Sequence, residues 1–65
     1  MKKFSFLNPV NHFDPSDDRY HLGCELVMKL IALGFQIERG EEGVVVATHD
    51  EIDFEPNEDE KALLH

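Results

Sequence analysis

The sequence predicts a single small α+β domain, in which one main helix packs on a small antiparallel β-hairpin or sheet and a short helix follows at the C-terminus. Apolar residues recur at helical spacing over residues 15–34, and two strand-like runs flank a glycine-containing turn within residues 35–48. The 65 residues suffice for one core only. We therefore expect five segments in one domain: an extended arm or short strand (1–14), a helix (15–34), a hairpin (35–48), an acidic arm (49–56) and a short helix (57–65).

The N-terminal segment carries Phe4 and Phe6 at a spacing of two, which is typical of a strand or an extended arm. Asn8-Pro9 and Asp14-Pro15 follow, and the residue before a proline disfavours the helical conformation. We expect turns here and no helix running through them.

The main helix has clear end signals. Asp14 is a candidate N-cap with Pro15 at the first helical position, and Gly34 suits a left-handed residue just past the end. Successive residues turn by about 100°, so the apolar residues cover about two-thirds of the circumference. That is wider than one core face requires. The sequence therefore predicts a homodimer or an obligate partner complex, with these helix residues as partner contacts: Leu22, Leu26, Leu30 and Leu33.

The hairpin combines the alternating run Phe35–Glu38, a turn with Gly40 and Gly43, and the β-branched run Val44–Thr48. Its second strand is apolar on both sides, because Val45 and Ala47 alternate with Val44 and Val46. We expect Val45 and Ala47 to lie on the exposed face and to bind a partner at the hairpin edge.

The charge is uneven. The chain has 14 acidic and 6 basic residues, for a net charge of -8, and seven of the acids fall within residues 50–60. Nucleic-acid phosphates and anionic membranes attract Lys and Arg, so neither is an expected partner. A basic protein partner suits this segment, and its candidate contacts are Asp50, Glu51, Asp53 and Glu55.

The sequence contains no recognisable catalytic constellation, so we expect no enzyme activity. The single Cys24 excludes an intrachain disulfide, and its spacing from His12, His21 and His49 matches no zinc-binding motif. We expect no metal and no cofactor. Met1–Leu7 is too short for a secretory leader and no apolar run has the length of a membrane span, so the expected location is cytoplasmic.

Residues 25–38 read Glu-Leu-Val-Met-Lys-Leu-Ile-Ala-Leu-Gly-Phe-Gln-Ile-Glu; a glycine-containing turn and Val44–Val46 follow. Together with Glu60–Leu64, this text resembles the TubC-type N-terminal docking domains of modular peptide and polyketide synthases. The resemblance covers residues 22–64. It implies an αββα module whose exposed hairpin strand receives a partner peptide.

The function expected from the sequence is a non-enzymatic docking or adaptor module that uses a hairpin edge and an apolar helix face. The alternative is an acidic mimic of nucleic acid that inhibits a DNA-binding protein or a defence complex, as a phage-encoded protein would. One continuous acidic stripe across the fold would favour mimicry, and a mobile acidic tail would not.

Overall fold

The computed structural model describes residues 2–65 and confirms the α+β class. Its secondary structure consists of β1 (Lys3–Leu7), α1 (Pro9–His12), α2 (Asp18–Ala32), β2 (Gln36–Arg39), a 3₁₀ turn (Glu41–Gly43), β3 (Val44–Thr48) and α3 (Glu58–Lys61).

The three strands form one antiparallel sheet in the order β1-β3-β2, so β3 is central. Ala47 lies opposite Phe4 on one side and Ile37 on the other, and Val45 lies between Phe6 and Arg39 in the same way. Directly opposed residues share a face of the sheet. One face is therefore lined by these two rows of residues.

The core lies between that face and α2. Phe6, Leu26, Leu30 and Leu63 are fully buried there. Phe54 enters from the segment after β3 and stacks on Phe4, with ring centroids 5.7 Å apart and planes 10° apart. The leucines and phenylalanines thus join α2, the sheet and the C-terminal segment in one apolar cluster.

Helix α2 begins later than the sequence predicts. The N-cap is Asp17, whose side chain accepts a hydrogen bond from the Arg19 N–H. The prediction of Asp14 as cap was wrong because Asp14 instead accepts hydrogen bonds from the Ser16 N–H and hydroxyl in the preceding turn.

The C-terminal end of α2 follows the prediction. Gly34 has a φ of 92°, and its N–H donates to the Ile31 carbonyl, while the Phe35 N–H donates to the Leu30 carbonyl. These two bonds form a Schellman motif and satisfy carbonyls that the helix leaves free.

Helix α1 is a single turn that the sequence did not predict. The Asn8 side chain caps it by accepting a hydrogen bond from the Val10 N–H, and Pro9 occupies its first position. Gly23 of α2 allows Pro9 of α1 to approach the helix closely, because a Cβ at position 23 would lie only 2.8 Å from Pro9 Cβ. This contact fixes α1, and with it Val10, beside α2.

The predicted exposure of Val45 and Ala47 was wrong. Val45 is 4% and Ala47 0% exposed, and both belong to the core. The reason is that β1 pairs with β3 and places Phe4 and Phe6 on the same face, which α2 then covers. Val46 lies on the opposite face, between Ser5 and Glu38.

Val45→Lys is expected to unfold the domain, because a charge buried without a partner costs about 3 kcal/mol or more. Val46→Lys is the matched control. Its ammonium would face Glu38 on the neighbouring strand, where opposite charges stabilise a pair. Urea denaturation followed by circular dichroism measures both; equal stability of the two variants would contradict the assigned facing.

The stabilisation of the N-terminus of α2 by Asp17 depends on pH. The Arg19 guanidinium and the Arg19 N–H hydrogen-bond its carboxylate and lower the pKa of Asp17 from 3.8 to about 2. Because the folded pKa lies below the unfolded one, this stabilisation is complete above pH 3.8 and is lost as the pH falls towards about 2.

Asp17→Asn retains an oxygen that can accept the Arg19 N–H but removes the charge. We expect the melting temperature of the wild type to fall more steeply than that of Asp17→Asn as the pH falls below 4. Parallel melting curves for the two proteins across that range would show that the ion pair does not contribute.

Candidate functional site

The residues that the sequence proposed for partner binding do not form one surface. Leu26, Leu30, Val45 and Ala47 are in the core, so the expectation that these four residues lie exposed on a partner-binding face was wrong. Leu22 is half-buried against the core, and Leu33 is 39% exposed at the end of α2. The four acids of the arm, Asp50, Glu51, Asp53 and Glu55, are all exposed.

An apolar groove lies elsewhere, between α1, α2 and the sheet. It has a volume of about 350 Å³. We call it the docking groove; its lining residues are Asn8, Pro9, Val10, Cys24, Val27, Met28, Ile37, Arg39 and Val45. Val10 and Met28 stand at its rim, 67% and 69% exposed. The groove therefore presents apolar side chains to solvent in one continuous depression.

Helix α2 supplies one wall of the docking groove from a second apolar strip. Cys24, Val27 and Met28 fall on one side of the helix, and Ile31, 58% exposed, continues that side by one turn. The leucines that fill the core lie on the neighbouring side. The predicted surplus of apolar helix surface exists, but Cys24, Val27, Met28 and Ile31 form it, rather than the core leucines.

Strand β2 supplies the other wall and has an open edge. The Gly40 N–H donates to the Val44 carbonyl, so Gly40 and Val44 form a hydrogen-bonded pair. In an antiparallel ladder such pairs alternate. Glu38 and Gln36 therefore bond to β3, while the N–H and C=O groups of Ile37 and Arg39 point outward. Within residues 2–65, no backbone segment pairs with this edge.

The other edge of the sheet is closed by the chain itself. The Leu7 N–H donates to the Leu63 carbonyl, and the His65 N–H donates to the Ser5 carbonyl. The C-terminal residues thus pair with part of β1, whereas no backbone segment within residues 2–65 pairs with the outer edge of β2.

Two opposite charges flank the open edge. Arg39 lines the docking groove and is its only charged residue within the described chain, while Glu38 lies on the other face of the sheet. Neither side chain has an ion-pair partner within residues 2–65. Ion pairs lie elsewhere in the fold; for example, Lys29 Nζ of α2 is 2.8 Å from Oε2 of the buried Glu60 in α3.

The acidic arm is held in place along its length. The His49 Nδ1 accepts hydrogen bonds from the Glu51 and Ile52 N–H groups, each 2.8 Å long. Phe54 packs against Phe4 and Phe35, and Pro56 is buried. The arm is therefore an ordered strap with outward-facing carboxylates, and the sequence did not reveal His49 as its anchor.

A second depression, between α2 and α3, has a mixed charge. Its lining combines the carboxylates of Asp18, Glu25, Glu58 and Asp59 with Arg19 and His21. Within residues 2–65, no three His, Cys, Asp or Glu side chains converge in a way that would hold a metal ion. No helix in the same part of the chain is long and apolar enough to cross a membrane.

Comparison of the chain with family models, with curated proteins and with solved structures finds no match. The resemblance of residues 22–64 to TubC-type docking domains stays a prediction. The docking groove and the open edge of β2 are features of the described residues themselves.

His49→Ala is expected to loosen the acidic arm, because two amide groups lose their acceptor and each such bond contributes about 1 kcal/mol. Hydrogen exchange of the Glu51 and Ile52 amides should accelerate by about tenfold or more. His49→Asn places an oxygen close to the position of Nδ1 and should restore part of the protection. Unchanged exchange in His49→Ala would show that the ring does not hold the arm.

Proposed function

We propose that this chain is a non-enzymatic docking module that takes an extended segment of a partner protein along β2 and over the docking groove. One observation carries the proposal: an open strand edge adjoins an exposed apolar groove. Free main-chain groups provide hydrogen bonds to an added strand, and a groove beside them receives every second side chain of that strand.

The apolar rim supports this proposal. Single exposed apolar residues are common on protein surfaces, but Val10, Met28 and Ile31 flank or continue the same depression. Met side chains adapt to different partners because they are unbranched and flexible. A bound segment would cover these residues and remove their apolar surface from water.

The resemblance to TubC-type docking domains supports the same assignment, because it implies a hairpin strand that receives a partner peptide. In this chain that strand would be β2, since β3 is central in the sheet. The proposal thus moves the contact surface from Val45 and Ala47, which the sequence indicated, to the outer side of β2.

A second candidate function is mimicry of nucleic acid by the acidic arm. His49 and Phe54 hold the arm against the core, so the backbone that carries exposed acids such as Asp50 and Glu55 follows a defined path. That order favours mimicry over a purely solubilising tail. The partner would then be a basic DNA-binding surface, and the docking groove would have no part in recognition.

The docking function is tested with a phage-displayed library of random peptides selected on the immobilised protein. Peptides bound at the proposed site should bind Met28→Lys at least about tenfold more weakly, because the change puts a charge among apolar contacts. Arg39→Pro should weaken them as well, since it removes an outward N–H while sparing the bonds to β3.

Ala32→Lys is the matched control, because Ala32 is an exposed residue of α2 outside the docking groove. Selected peptides should bind this variant as they bind the wild type. Peptides that bind all variants equally would contradict the docking function. Mimicry predicts instead that a basic DNA-binding partner is lost on neutralising Asp50, Glu51 and Glu55, and is retained by Met28→Lys.

A further inference from the structure

The two charges at the open edge of β2 define what a bound segment must carry. The inference rests on the docking function proposed above and specifies its partner. Main-chain groups of Ile37 and Arg39 point outward, so an added strand would place residues directly opposite Ile37, Glu38 and Arg39.

The groove side of the added strand meets Ile37 and Arg39. Ile37 is half-buried and lines the groove beside β3. An apolar residue is therefore favoured at the position of the added strand that faces Ile37. Arg39 is the one charged side chain in the described lining, and it has no ion-pair partner within residues 2–65. A segment that covered Arg39 with apolar atoms would remove water from the guanidinium without replacing its hydrogen bonds. A carboxylate opposite Arg39 avoids that cost.

The other side of the added strand meets Glu38. This exposed carboxylate also lacks an ion-pair partner within the described residues, and Glu41 and Glu42 follow it in the adjoining turn. A cation opposite Glu38 forms a favourable cross-strand pair, whereas a carboxylate there is repelled. The net charge of -8 acts in the same direction, because it disfavours a segment with acids at both positions.

We propose that the docking groove selects an extended segment with three consecutive residues in the order apolar, basic, acidic when it runs parallel to β2, and in the reverse order when it runs antiparallel. The apolar residue faces Ile37, the basic residue faces Glu38, and the acidic residue faces Arg39. Selectivity thus depends on local charges of both signs, although the chain as a whole is acidic.

A second copy of β2 does not satisfy this rule. Its own text is Ile37-Glu38-Arg39, which has the acidic and basic residues exchanged. When two β2 edges pair antiparallel with Ile37 opposite Arg39 of the other copy, the two Glu38 side chains face each other and repel. The rule therefore favours a different chain as the occupant.

The test uses four fluorescein-labelled peptides with blocked termini. One is Thr-Val-Thr-Ile-Lys-Glu-Thr-Val, the second is its reversed sequence, and the other two have Lys and Glu exchanged. Fluorescence polarisation at low salt measures their binding to the wild type. In one chain direction, the peptide with Lys next to Ile should bind about tenfold more tightly than its exchanged form, and added salt should reduce that ratio.

The double variant Glu38→Lys/Arg39→Glu reverses both charges at exposed positions and should reverse the order of the two peptides. Equal affinities of the exchanged peptides, or an order that survives the reversal, would overturn the charge rule. If none of the four peptides binds while library peptides still need Met28, the rule falls and the docking function stands. Sedimentation of the wild type as a dimer that dissociates in Arg39→Pro would overturn the rule in favour of a second copy.

Discussion

Strand β3 hydrogen-bonds with β1 on one side and β2 on the other, and the rest of the structure depends on this double pairing. The Asn8 N–H donates to the Gly43 carbonyl and the His49 N–H to the Lys2 carbonyl, while the Gly40 N–H donates to Val44. Successive residues of β3 thus form their main-chain hydrogen bonds alternately with β1 and with β2. Strand β1 occupies one side of β3, and the C-terminal residues pair with part of the outer edge of β1. The outer edge of β2 has no backbone partner within residues 2–65.

Helix α2 connects that sheet to the docking groove because it is apolar on two sides. Leu26 and Leu30 face the sheet and are fully buried, whereas Met28 and Ile31 remain largely exposed. A small domain buries a limited share of its surface, so a helix that is apolar on two sides leaves apolar area exposed to solvent. The contact of Pro9 with Gly23 adds the third wall of the groove.

The charged residues fall into two groups: the acidic segment near the C-terminus, and Glu38 and Arg39 at the open edge of β2. Residues 50–60 hold seven of the 14 acids, and the backbone of the acidic arm within them is tied to the core through Phe54 and His49. The buried Glu60 forms a capping box with Asn57, the N-cap of α3, and its carboxylate pairs with Lys29 of α2. One of the seven acids of residues 50–60 therefore stabilises the fold instead of facing solvent. At the open edge, by contrast, Glu38 and Arg39 are individual charges that the proposed partner strand would have to match. Overall charge influences the rate of association, and local pairs determine which partner fits.

The sequence by itself determined the fold class, the end of α2 at Gly34, the hairpin and the short C-terminal helix. These follow from local signals: helical periodicity, a left-handed glycine, β-branched runs and the Asn57 cap. The sequence also showed that α2 has more apolar surface than one core needs. Only the tertiary structure decided which side of α2 and which face of β3 join the core cluster; Val44, on the other face of β3, is 7% exposed but lies outside that cluster. The two faces of β3, one with Val44 and Val46 and the other with Val45 and Ala47, are equally apolar, so the sequence of β3 does not show which face enters the core. Pairing with β1, which lies about forty residues earlier in the chain, places Phe4 and Phe6 on the face of Val45 and Ala47. The docking groove joins residues from four elements, so its composition depends on long-range packing that periodicity does not encode.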